Sequence, residues 1–119
     1  MNKLYRLFLA AFFLLAVVNR SSGQCGNNNT LWIDLTPPAC PGSDYTSCIF
    51  GGEYVTVNVV NGNTYTFSTC GDTDFDTQIT TYNQGTGVQV SYNDDFCALQ
   101  SSITWTATFT GVLRVLVDE

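Results

Sequence analysis

Strict alternation of apolar and polar side chains constrains this chain more than any other feature, because a period of two suits a half-buried β-strand and cannot form the stripe of an amphipathic helix. From Glu53 onward, Val55, Val57 and Val59 alternate with Thr56 and Asn58, and Tyr65 and Phe67 alternate with Thr64, Thr66 and Ser68. Between them Asn61-Gly62-Asn63 supplies turn chemistry, so the two runs are expected to pair as a hairpin. Three more runs follow: Phe75, Thr77, Ile79 and Thr81; then Val88, Val90 and Tyr92; then Ile103, Trp105, Ala107 and Phe109. Gly85 and Gly87 punctuate the first gap, and Asn93, Asp94 and Asp95 the second. Val112 to Val117 is apolar at nearly every position, as expected of a strand that is central or covered on both faces. No segment after residue 23 carries helical spacing over three turns, and β-branched and aromatic residues fill the proposed strands. The predicted fold is all-β: a jelly-roll-like β-sandwich of six to eight short antiparallel strands.

The preceding residues have a different character. Lys3 and Arg6 lead into an apolar run from Leu7 to Val18, followed by Ser21, Ser22 and Gly23, the pattern of a secretory signal peptide. About a dozen apolar residues is short of the roughly 20 needed to span a bilayer. Residues 1–23 are therefore expected to form a signal-peptide helix that is cleaved after Gly23, leaving a secreted or cell-surface protein whose mature chain does not insert in a membrane. Residues 24–47 are rich in Asn, Pro, Gly, Ser and Cys, with one short strand from Thr30 to Leu35, and residues 48–119 carry the sandwich. Pro37, Pro38 and Pro41 preclude regular ladder pairing there, so an irregular loop tied down by Cys40 and Cys48 is expected.

Export also sets charge and redox chemistry. Of the four basic residues, Lys3, Arg6 and Arg20 leave with the signal, so Arg114 faces ten acidic residues and the mature charge is 1 − 10 = −9. Such a surface repels nucleic acid and anionic lipid and favours cations. The five cysteines, Cys25, Cys40, Cys48, Cys70 and Cys97, meet an oxidising compartment, where disulfides are the default. An odd count leaves one thiol free, paired with another chain, or matched by a cysteine beyond Glu119. A zinc site lacks its ligands: there is no His and no C-x-x-C pair.

The absence of His and of any Lys in the mature chain removes serine-His, cysteine-His and His-metal mechanisms. Two carboxylates could still hydrolyse glycosides at a separation of about 5 Å or 6.5–9.5 Å, but the acidic residues crowd into polar turns without an apolar wall to raise a pKa. Asp72, Asp74 and Asp76, with Asn93, Asp94 and Asp95, suit a hard cation better, since Ca²⁺ takes six to eight oxygens. The first three copy the opening of an EF-hand loop, yet Thr77 stands at its glycine position and Asn83 at its closing glutamate, so a calcium site must draw on two loops. Turn chemistry, in which Asp and Asn bond nearby backbone N–H groups, is the competing reading. Trp105 shares a face with core residues, whereas Tyr45, Tyr54 and Tyr82 are the surface aromatics available to a carbohydrate. Thr104, Thr106, Thr108 and Thr110 form an outward stripe.

The stretches Cys48-Ile-Phe-Gly-Gly-Glu-Tyr-Val-Thr-Val, Gly62-Asn-Thr-Tyr-Thr-Phe-Ser-Thr-Cys70, Asp74-Phe-Asp-Thr-Gln-Ile and Tyr92-Asn-Asp-Asp-Phe-Cys97 resemble pre-peptidase C-terminal domains. The versions most alike occur in secreted and surface proteins of Bacteroidota, many bearing a type IX secretion sorting domain. The resemblance implies a non-catalytic β-sandwich accessory module with other domains or chains of an extracellular assembly, or a carbohydrate or protein ligand, as partners. It further implies calcium held through Asp74, Asp76, Asn93, Asp94 and Asp95, and a bridge between Cys70 and Cys97. Such domains usually continue past the strand ending at Asp118 to another cysteine, so truncation or completion by another chain is expected. A structural subunit of an extracellular assembly or adhesin is the alternative function, and a small carboxylate glycosidase a more remote one.

Overall fold

The computed structural model describes residues 30–36 and 41–119. Seven strands form in chain order: β1 Thr30–Leu35, β2 Glu53–Val59, β3 Thr64–Ser68, β4 Gln78–Asn83, β5 Gln89–Asp94, β6 Ser102–Thr106 and β7 Gly111–Asp118. They build two sheets, one of five strands in the order β1-β2-β7-β4-β5 and one of two, β3-β6. The all-β sandwich expected from the alternation is what the chain adopts. The proposed signal helix, Cys25 and Cys40 lie outside the described residues.

Strand β7 is the centre of the larger sheet, pairing antiparallel with β2 through Glu53↔Val117 to Val59↔Gly111 and with β4 through Gln78↔Asp118 to Asn83↔Leu113. Leu113, Val115 and Val117 on one of its faces and Leu116 on the other are all buried, which is why its sequence is apolar almost throughout. Its inward side chains Leu113 and Val115 meet Val55, Val57 and Val59 of β2 and Ile79 of β4 in one buried cluster. Each such side chain contributes roughly 1.5–3 kcal/mol on burial. The two-stranded sheet covers this aliphatic floor with large rings: Tyr65, Phe67, Trp105 and Phe109 pack against it beside Ile103 and Ala107. Trp105 and Phe109 lie 5.6 Å apart, and Tyr65 and Phe67 stack at 6.4 Å. On the opposite face of β7, the Arg114 guanidinium sits 4.7 Å from the Tyr82 ring and 5.3 Å from that of Tyr54. Tyr82 is thereby buried and Tyr54 half-buried, leaving Tyr45 as the exposed member of the three surface aromatics expected.

Three expectations need correction. The β2–β3 connection is not a paired hairpin, because β2 and β3 belong to different sheets. Gly62 does adopt the left-handed turn conformation at φ 86°, but the turn is pinned to the end of β6: the Gly62 amide donates to the Ala107 carbonyl and the Ala107 amide to that of Asn63, both at 2.8 Å. Nor are all the pairings antiparallel, for β1 runs parallel to β2 with a register shift at Trp32. A parallel neighbour requires a crossover, which the chain makes between Leu35 and Glu53, a stretch whose described residues form no strand or helix. Finally, strand bounds shift: Phe75 and Thr77 precede β4, Asn93 and Asp94 end β5 instead of forming the turn after it, and Ala107 and Phe109 lie beyond the end of β6. The threonine stripe is exposed as expected, and its hydroxyls zip the small sheet: Thr104 pairs with Thr66 and Thr106 with Thr64, each at 3.0 Å.

Candidate functional site

Two acidic loops meet at one end of the sandwich, the β3–β4 loop (69–77) and the β5–β6 loop (95–101). They are stapled by the disulfide Cys70–Cys97, whose Cα atoms lie 6.0 Å apart, the bridge implied by the family resemblance. Beneath the staple runs a buried hydroxyl latch that no sequence pattern announced. Thr77 and Ser101 are wholly buried and Thr69 nearly so. The Thr69 and Thr77 hydroxyls are 2.6 Å apart, and the Ser101 amide donates to both at 3.1 Å. The Ser101 hydroxyl in turn reaches the Thr77 and Asn93 carbonyls, while the Thr77 amide donates to the Leu99 carbonyl at 2.8 Å. A buried polar network of this kind is stable only if its members are satisfied, and once satisfied it fixes one geometry.

On this frame the carboxylates of Asp76, Asp94 and Asp95 converge, with one oxygen of each within 4.8 Å of the others, all three residues exposed. Asp76 comes from the first loop, Asp94 from the last position of β5, and Asp95 from the residue after it, turned left-handed at φ 60°. Aspartate tolerates that conformation better than most residues because its short side chain can bond locally. Three like charges so close repel one another unless a cation or solvent screens them. The Tyr92 hydroxyl donates to Asp94 at 3.2 Å. Its pKa is raised above the ordinary tyrosine value, first by partial burial, then by that hydrogen bond and the negative field of Asp94, Asp95 and Asp76. Along the same row of the sheet, Asp94 pairs with Gln78 and Gln78 with Asp118. The buried Oε1 of Gln78 and Oδ2 of Asp118 have no hydrogen-bond partner among the described residues.

The other residues singled out from the sequence are placed elsewhere. Asn93 is committed to structure, its Oδ1 accepting from the Ser102 amide at 2.9 Å. Asp72 and Asp74 line a separate cleft of about 580 Å³ beside β3, together with Asp44 and Cys48. Cys48 is exposed, left-handed at φ 61°, and bonded to no cysteine among the described residues. Thus three of the six oxygen-bearing residues gather, as a site built from two loops requires, and three do not.

No curated protein and no solved structure matches the chain. Residues 45–119, spanning six of the seven strands together with the stapled loops, match the model of a family described as a domain of unknown function (DUF8695), and the chain belongs to that family.

Proposed function

We propose that this protein is a secreted, non-catalytic β-sandwich module of a bacterial extracellular or cell-surface protein, of the pre-peptidase C-terminal type, and that Ca²⁺ stabilises it by bridging its two acidic loops. The observation that carries the calcium part is the convergence of Asp76, Asp94 and Asp95 from segments joined by a disulfide and a hydroxyl latch. The donor set is all oxygen, as a hard cation prefers, and three carboxylates with loop carbonyls and water can complete a coordination shell of six to eight. Bound calcium would screen the mutual repulsion of the three charges and tie the loops further. The same three carboxylates are all exposed and lie in or next to polar loops, which favours an accessory role over glycoside hydrolysis. Its partners on this reading are neighbouring domains or chains, or a carbohydrate or protein ligand, and the acidic excess favours those carrying positive charge.

Thermal unfolding with excess calcium and with excess EDTA tests the proposal. Calcium at a hundredfold over its Kd stabilises by about 2.7 kcal/mol. At about 4–8 °C per kcal/mol for a domain of this size, Tm should rise by roughly 10–20 °C. Asp76→Asn with Asp94→Asn should remove most of that rise and should raise the EDTA-state Tm modestly, because it relieves the mutual repulsion of the three charges. Equal melting temperatures in calcium and EDTA would refute the metal part.

A further inference from the structure

Beyond that reading, and independent of calcium, we propose that the cleft beside β3 is a docking groove for an extended, basic segment of a partner polypeptide, which adds to the small sheet as a third strand. The small sheet has only two strands, β3 pairs with β6 along one edge, and no described strand pairs with its other edge. Thr66, Phe67, Ser68 and Thr69, four consecutive residues, all line the cleft, whereas no residue of β6 does. Side chains of a strand alternate between two faces, so the three of these that belong to β3, Thr66, Phe67 and Ser68, can border one cavity in succession only if the strand presents its edge to it. The cleft therefore lies where a further strand of the small sheet would run.

Its chemistry selects the occupant. Half-buried Leu35, Ile49 and Phe75 line it above the buried Val55, Ile79, Val115 and Val117 of the larger sheet's inner face, an apolar base for the side chains at every second position of an incoming strand. Asp44, Asp72 and Asp74, all exposed, stand around the opening. Arg114, the one basic side chain among the described residues, is on the opposite face of the larger sheet, held between Tyr54 and Tyr82. The rim is therefore negative with no local compensation, and it complements a strand bearing Lys or Arg at its outward positions and ends. A second copy of this acidic chain would meet like charge there. Main-chain pairing along an exposed edge supplies affinity, and alternate side chains supply selectivity. Asp44 and Tyr45, the latter 87% exposed, lie in the irregular segment that forms the far lip.

The probe is a capped nine-residue peptide with valine at every even position and lysine at the first, fifth and ninth, titrated into the purified protein at low salt with amide hydrogen exchange followed by NMR. Alternate amides within β3 should gain at least about tenfold protection, and a glutamate-for-lysine peptide should not bind. Asp72→Lys with Asp74→Lys, two exposed side chains without described hydrogen bonds, should weaken binding by about tenfold with the circular dichroism spectrum unchanged. Four results would overturn the proposal: β3 amides already fully protected without peptide, a footprint on β1 or β5 instead, equal binding of the acidic peptide, or self-association that protects the β3 amides.

Discussion

Removing the Cys70–Cys97 bridge separates two ways in which a crosslink can act on this protein. The bridge closes a loop with a sequence separation of 27, for which the chain-entropy relation gives about 12 cal/mol/K, or about 3.5 kcal/mol at 25 °C. Cys70→Ala with Cys97→Ala should therefore lower the unfolding free energy in urea by about that amount, and lower Tm by roughly 15–25 °C. Because this stabilisation acts through the unfolded chain, the native loops should keep their positions, held by the latch of Thr69, Thr77 and Ser101. The increment of Tm produced by calcium should then survive in the alanine pair. Thr77→Val keeps the shape of a fully buried side chain but takes one acceptor from the Ser101 amide and a hydroxyl partner from Thr69. It should cost about 1–3 kcal/mol and diminish the calcium increment even with the disulfide intact. A loss below about 1 kcal/mol in the alanine pair, or a calcium increment that vanishes with the bridge, would refute this division of labour.

Two further outcomes follow from the outer face of the larger sheet and from the acidic loops. Arg114→Lys keeps the charge but loses the flat guanidinium that lies between Tyr54 and Tyr82, and should destabilise the fold by about 1 kcal/mol in urea titration; an unchanged midpoint would deny the stack a role. Tyr92 titrates above its ordinary value, so its stabilising contribution is complete below the unfolded-state pKa and is lost as pH rises through the folded one. Asp94→Asn removes the hydrogen-bond acceptor's charge and should lower the Tyr92 pKa in an ultraviolet difference titration against Tyr92→Phe, and an unmoved midpoint would contradict the assigned cause.

Strand positions were legible because apolar patterning is a local property: the short apolar segment within Thr30 to Leu35 placed β1 to the residue, and the nearly continuous apolar run from Val112 marked a strand that is central or covered on both faces. The partition into sheets was not legible. Asn61-Gly62-Asn63 has the composition of a hairpin turn, and nothing in those residues tells that their amide and carbonyl partners lie at Ala107 instead of on the adjoining strands. Strand direction across the proline-rich stretch is likewise set by a long crossover, so the parallel pairing of β1 had no local signature. At the candidate site, clustering of Asp and Asn located the loops whose carboxylates converge but could not sort the residues within them. Asp72 and Asp74 are in an irregular loop without a repeating geometry, and only the fold sends Asp76 towards Asp94 and Asp95 and the other two towards β3. The latch threonines were hidden by their type, since threonine is common in strands for reasons of backbone preference alone.

The parallel alignment of β1 has a mechanical consequence. Thr30 at the start of β1 and Val117 near the end of β7 both pair with Glu53 at the start of β2, so the first residue of β1 and the last residues of β7 lie at one end of the sheet, two strand spacings apart. Tension drawn across those two points would load the rungs of β1–β2 and β2–β7 in succession, peeling them like a zip instead of shearing them together.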